Sequence, residues 1–169
     1  AVMSGTQDMI IAAGVESMSR VHMFSNIQLA KQAGLAADPL SDRIKARFGV
    51  DAFSQFHGAE LLAQKYHLSR DDLDCYALRS HQRAQYAIEQ QWFDQEIIPI
   101  QLKDGTWHCQ DEGVRFDTNL DAISSVQTLQ PDGVISAANA SQICDGASAC
   151  LIVSERALKI GRASCRERV

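Results

Sequence analysis

Residues 133–155 read GVISAANASQICDGASACLIVSE, and no other stretch limits the fold so strongly. Two short apolar runs, 134–135 and 149–153, bracket a segment made almost wholly of Ala, Ser, Asn, Gly and Asp. Those side chains are too small to fill a core, so something else must approach the backbone closely. Small residues admit a ligand or a second backbone, and Asn139, Ser141 and Asp145 supply short polar groups that fix a turn or hold a substrate. A tight connection between two buried strands explains the same composition, and the residues leave both readings open.

A second apolar run, 9–13, ends at Gly14 and suits a strand buried on both faces. If it pairs with 149–153 in one sheet, everything between is an excursion from an α/β core. Residues 1–6 read as the end of a helix. Beyond Gly14 the chain leaves the strand carrying Glu16, Ser17 and Ser19, where a carboxylate either serves chemistry or caps a turn. Residues 21–50 hold two short helical patterns broken by Gly34, Asp38-Pro39 and Gly49.

The spacing of Ala59, Leu62, Ala63 and Tyr66 predicts a helix over 52–66 with one apolar face. Ser69 caps a second helix, with Asp71 and Asp72 in its first turn and a stripe through Leu73, Tyr76, Ala77, Ser80, Ala84, Ala87 and Ile88. Pro99 marks an edge strand, Lys103-Asp104-Gly105-Thr106 a hairpin turn returning through Trp107 and Cys109. A short helix carrying Leu120, Ile123 and Leu129 ends at Pro131, after which the chain re-enters the core at Val134.

Composition excludes several function classes. The chain has 169 residues, 46% hydrophobic content and a net charge of −5, against a general nucleic-acid binder, whose phosphate contacts need clustered Lys and Arg. No run approaches the roughly 18 apolar residues that span a bilayer, so no membrane partner and a cytoplasmic setting are expected. The five cysteines form no Cys-x-x-Cys pair and read as reduced thiols. The five histidines lack paired ligand spacing, so no metal is expected.

The segment Asn139-Ala140-Ser141 followed by Asp145-Gly146-Ala147-Ser148-Ala149 resembles the Asn-Ala-Ser…Asp-Gly-Ala segment of thiolases, the acyl-CoA C-acyltransferases. Residues 13–19, AGVESMS, resemble that family's Gly-Gly-x-Glu-Ser-Met-Ser signature, and 68–74 with 80–84 resemble the helix that opens its loop domain. The likeness runs from Ala1 to about Lys159. It implies part of the N-terminal half of a thiolase-like layered α/β core, with an inserted, mainly helical loop domain that binds coenzyme A. The expected division is a core strand region over 1–20, the inserted domain over 21–132 and a return to the core over 133–159.

The resemblance further implies acyl transfer to and from coenzyme A, by thiolytic cleavage or Claisen condensation of a β-ketoacyl-CoA, with CoA a substrate and no separate cofactor. It implies a homodimer or homotetramer as the parent. It places the adenine-nucleotide end of CoA at Arg115 and the pantetheine arm at Ser141 with Ala137 beside it. Either Phe56 or His57 faces the acyl pocket, since Ser54-Gln55-Phe56-His57-Gly58 stands where many members have a His-Met pair before the Gly. Ala122 replaces a second CoA-contacting Ser, Cys144 a common Asn and His22 a common Pro, which suggests a bulkier acyl group.

The family's nucleophilic cysteine belongs before Ala1, and its histidine and second cysteine belong to the C-terminal half. The chain alone is therefore expected to be inactive. A related condensing enzyme of the same fold and a non-catalytic CoA-binding or assembly module are the alternatives. Residues 160–169, IGRASCRERV, change character abruptly. One reading frame of a widely used sequencing adapter encodes that string, so the tail is expected to be an artefact, and nothing functional is read from Cys165.

Overall fold

The computed structural model describes residues 1–35 and 40–160. The Asp38-Pro39 break and the tail beyond Ile160 lie outside the described residues. In chain order the elements are β1 (Met9–Ser17), α1 (Ser25–Gln32), α2 (Asp42–Phe48), α3 (Gln55–Lys65), α4 (Arg70–Glu89), β2 (Ile100–Gln101), β3 (Trp107–His108), α5 (Leu120–Ser124), β4 (Asp145–Val153) and α6 (Glu155–Lys159). This mixed α/β chain divides into two compact units, Ala1–Ala37 with Ile143–Val169, and Asp38–Gln142.

The first unit is built on β1 and β4, paired antiparallel from Met9 opposite Val153 to Ser17 opposite Asp145. The pairing of 9–13 with 149–153 is thus present, but both strands run further than their apolar residues do. Glu16 and Ser17 stay in β1, with Glu16 opposite Gly146. Ala, Gly and Ser have little strand preference of their own, so these extra pairs come from the partner strand rather than from propensity. The burial expected on both faces is absent: Ile11 is 72% and Val15 80% exposed. Among the described residues this two-stranded ribbon has no covering layer for its apolar side chains.

An aspartate pins each end of the ribbon. Asp8 accepts from Ser154 Oγ at 2.7 Å and from the guanidinium of Arg156, while its carbonyl accepts from Ser154 N at 2.8 Å. At the other end Asp145 accepts from Ser19 N at 2.8 Å and Ser19 Oγ at 2.5 Å. These bonds favour the ionised carboxylates, so Asp8, chiefly through Arg156, and Asp145, chiefly through the Ser19 hydroxyl, are held below the ordinary value of 3.8. Lowered folded-state values mean stabilisation that is fully present above the unfolded value and lost as pH falls through the folded one. Amide resonances of Ser19 and Ser154 are expected to hold steady from neutrality to about pH 5 and to collapse toward unstructured positions below about pH 4.

Residues 1–6 form a turn in which Gly5 N donates to Val2 O and Thr6 N to Ala1 O, with Gly5 at φ 73°. This is the bonding pattern with which helices end, in agreement with the sequence.

In the second unit each major helix begins where a side chain can take an orphan amide. Ser54 accepts from His57 N, so α3 starts at Gln55 rather than at 52. Ser69 and Asp72 form a reciprocal capping box on α4. Asn119 accepts from Ala122 N to start α5. The two-residue strands β2 and β3 close the expected hairpin, with Thr106 N donating to Asp104 Oδ1 and Gly105 at φ 87°.

Two expectations need correction. Leu62 and Tyr66 of α3 are exposed, and Ala63 alone of that face is buried. Leu129 is not helical: α5 stops at Ser124, and Leu129 N donates to Ile135 O beside a bridge between Thr128 and Ser136. Backbone pairing with the returning chain wins over one more helical turn. Among the described residues no helix is long and apolar enough to cross a membrane.

Residues 133–142 belong to the second unit. The Glu60 carboxylate, on α3, accepts from Val134 N at 3.0 Å and Ile135 N at 2.9 Å. A Cβ at Gly133 would overlap Glu60 Oε1 and stand 3.1 Å from the Gln130 carbonyl. Gly133→Ala is therefore expected to displace Glu60, leave two half-buried amides short of a partner, and lower stability by about 1–3 kcal/mol in chemical denaturation.

Candidate functional site

The second unit buries two polar side chains completely, Asp74 and Ser136, both 0% exposed. Asp74 sits one turn into α4 and is held from two sides. Arg70 Nε donates to Asp74 Oδ2 at 2.7 Å, and Asn139 Nδ2 donates to Asp74 Oδ1 at 2.9 Å. Asn139 also donates to Val134 O at 3.0 Å and accepts from Ser136 N at 2.8 Å, so its amide group closes the turn over 134–139. Ser136 Oγ accepts from Ala138 N at 3.2 Å. Arg70 Nη2 reaches the other way, to the carbonyls of Val126 at 2.8 Å and Ile123 at 3.2 Å, at the C-terminal end of α5. The Ile123 carbonyl also accepts from Val126 N at 3.2 Å, and the guanidinium adds a second donor there while binding the Val126 carbonyl just beyond the helix.

This network lies beneath an open cavity of about 430 Å³. One wall is the end of α5 with Ala122, Ile123 and Val126; another is the small-residue turn with Ala137, Ala138 and Ala140. Gly113, Arg115, Asp117 and Thr118 supply the rim, with His81 from α4 and Gln142 from the returning chain. Arg115 N donates to His81 Nδ1 at 3.2 Å, which leaves the neutral ring its proton on Nε2. Gln142 Nε2 donates to Gly113 O at 2.8 Å, tying the returning chain to the rim. Such a site can take a narrow, partly apolar chain between alanines and an anionic end group at the one cation of the lining, Arg115.

The residues singled out in the sequence fall in different places. Arg115 and Ala137 both line the cavity, as does Ala122. Ser141 is exposed, and its neighbours Ala140 and Gln142 line the cavity where it does not. Phe56, half-buried, and His57, exposed, occupy the first turn of α3 outside the lining. Arg70, Asp74, His81 and Glu60 were not found from sequence. The spacing of Arg70 and Asp74, four apart just after a cap, is a local signal for that pair alone, whereas His81 and Glu60 act through contacts far along the chain. Among the described residues no group of three His, Cys, Asp or Glu side chains is placed to hold a metal ion.

The fold is that of the N-terminal portion of a thiolase. The chain matches the crystal structure of the dimeric peroxisomal thiolase of Saccharomyces cerevisiae with a TM-score of 0.70 and 28% identity, over 95% of this chain and 40% of that one. The chain belongs to the thiolase N-terminal domain family, whose profile matches residues 1–156. It is 42% identical over 160 residues to a steroid 3-ketoacyl-CoA thiolase of Mycobacterium tuberculosis, covering 94% of this chain and 39% of the relative. It is 33% identical to a β-ketoadipyl-CoA thiolase of Pseudomonas putida, covering 100% of this chain and 45% of the relative. The chain thus spans less than half the length of these relatives. The family resemblance read from 13–19 and 139–149 is correct.

Proposed function

We propose that the chain is the coenzyme A-binding part of an acyltransferase that moves acyl groups to and from CoA, by thiolytic cleavage of a β-ketoacyl-CoA or its Claisen reverse. The observation that carries this reading is the meeting of Arg115 and Ala137 at one cavity whose inner wall is made of alanines. An alanine wall leaves room for a pantetheine arm, and a guanidinium at the rim suits a nucleotide phosphate or an adenine face. In this reading residues 21–132 form an inserted CoA-binding domain of a layered core, Ser141 contacts the pantetheine arm, and Phe56 or His57 faces the acyl group. The parent acts in the cytoplasm as a homodimer or homotetramer. Ala122 in place of a serine widens the site, in keeping with a bulky acyl group.

Calorimetric titration of the 169-residue chain with CoA tests it. Binding is expected, weakened about tenfold by Arg115→Ala through loss of a charge-assisted contact, and more strongly by Ala137→Leu, which fills the channel between the walls. Equal affinity of the unaltered chain and Ala137→Leu would remove CoA from this cavity.

A further inference from the structure

We propose that Arg70 is a positioning residue that fixes the separation of the two cavity walls, acting from beneath the site without touching ligand. The inference rests on the CoA reading for what the cavity holds, but its geometry does not. A continuous line of bonds runs from the carbonyls of Ile123 and Val126, through the Arg70 guanidinium and the Asp74 carboxylate, to Asn139 and the amide of Ser136. Its two ends carry the two walls, Ile123 and Val126 on one side and Ala137 and Ala138 on the other.

The choice of residue types supports positioning over bulk stability. Replacing a buried ion pair with apolar residues of similar volume is often neutral or stabilising, so a pair retained in a folded chain is weak evidence of a stability role. What a guanidinium adds is a planar fork with donors in fixed directions, here aimed at a carboxylate and at two carbonyls at once. A lysine reaches one of these directions at a time. The neighbouring apolar burial is slight, with Ile123 and Ile135 the only large apolar side chains buried among the described residues. The walls therefore depend on the polar line for their register.

The test uses the 169-residue chain with Arg70→Ala, Arg70→Lys and Asn139→Ala, and Arg79→Ala on the exposed face of α4 as a control. CoA affinity is measured together with amide exchange at 123–129 and 134–139, with and without millimolar ethylguanidinium. Arg70→Ala and Arg70→Lys are each expected to weaken CoA about tenfold, the worth of one charge-assisted hydrogen bond, and to speed exchange in both segments. Ethylguanidinium is expected to restore affinity and protection to Arg70→Ala, and ethylammonium to restore neither. Asn139→Ala, which keeps Arg70 in place, is expected to loosen 134–139 alone. Exchange that rises in only one segment in Arg70→Ala, or a loss that ethylguanidinium does not repair, would overturn the proposal. If the unaltered chain does not bind CoA, the CoA reading fails, and the exchange and rescue arms still decide whether Arg70 ties the walls. Should Arg70→Ala fail to fold, Arg70→Lys compared with Asn139→Ala carries the same decision.

Discussion

Asp74→Ala is expected to lower the unfolding free energy by about 3 kcal/mol, because removing one partner of a buried pair leaves the other charge uncompensated. Asp74 is fully buried, and both its oxygens accept hydrogen bonds. The Arg70 side chain keeps 22% of its surface exposed, so water can partly take over its guanidinium, which holds the effect to the lower end of what such deletions cost. Asn139 also loses an acceptor but retains the Val134 carbonyl. Asp74→Asn keeps the shape and one acceptor while turning an amide N–H₂ toward a donor, and should fall between the alanine variant and the unaltered chain. Urea unfolding of the three proteins checks the order. A loss of less than about 1 kcal/mol in Asp74→Ala would mean that the pair contributes no more than an exposed one.

How much of this was legible in the sequence depends on what fixes each element. The cap of α4 was legible because its signal is local, Ser69 with Asp72 bonding within four residues, whereas Ser54, which sets the start of α3, is not evident from spacing alone. The hairpin at 103–106 was legible for the same reason, with Asp104 and Gly105 fixing the turn by themselves. Strand length was not. Residues 14–17 and 145–148 contain almost no β-formers, and only their mutual register, more than a hundred residues apart in the chain, makes them strand. The end of α5 was missed because Leu129 keeps helical spacing but takes Ile135 as a backbone partner.

The site followed the same rule. The family likeness points to Arg115 and Ala137 as CoA contacts, and the two residues line one cavity. The small residues after Val134 suggest either a tight connection between two buried strands or room for a ligand or second backbone. Among the described residues no strand leads directly into the turn and β4 is largely exposed, while Ala137, Ala138 and Ala140 line a cavity. Asp74 stands among several acidic residues at the start of α4, and locally only its spacing of four from Arg70 sets it apart from Asp71 and Asp72. Its second partner Asn139, 65 positions away, and the Val126 carbonyl that Arg70 also binds, 56 positions from Arg70, become visible only when the chain returns across α4.

The chain by itself is expected to cleave no acetoacetyl-CoA in the presence of CoA, at a rate at least about 10⁶-fold below a working acyltransferase. A thiol becomes an acyl acceptor when a base or a lowered pKa delivers the thiolate, and the partner must lie within hydrogen-bond reach. Cys75, Cys109, Cys144 and Cys150 are exposed free thiols, and among the described residues none is hydrogen-bonded to a histidine. His81 spends Nδ1 on the Arg115 amide, and His22 spends Nδ1 on the Met18 carbonyl. CoA binding and turnover should therefore separate cleanly: a titration with a defined endpoint, beside a flat trace for loss of the acetoacetyl-CoA enolate absorbance. Turnover that disappears on changing any one of those four cysteines to alanine would place the nucleophile in this chain and reverse the reading. Turnover that survives the removal of all five cysteines, Cys165 included, would mean that chemistry proceeds without a covalent thioester on this polypeptide.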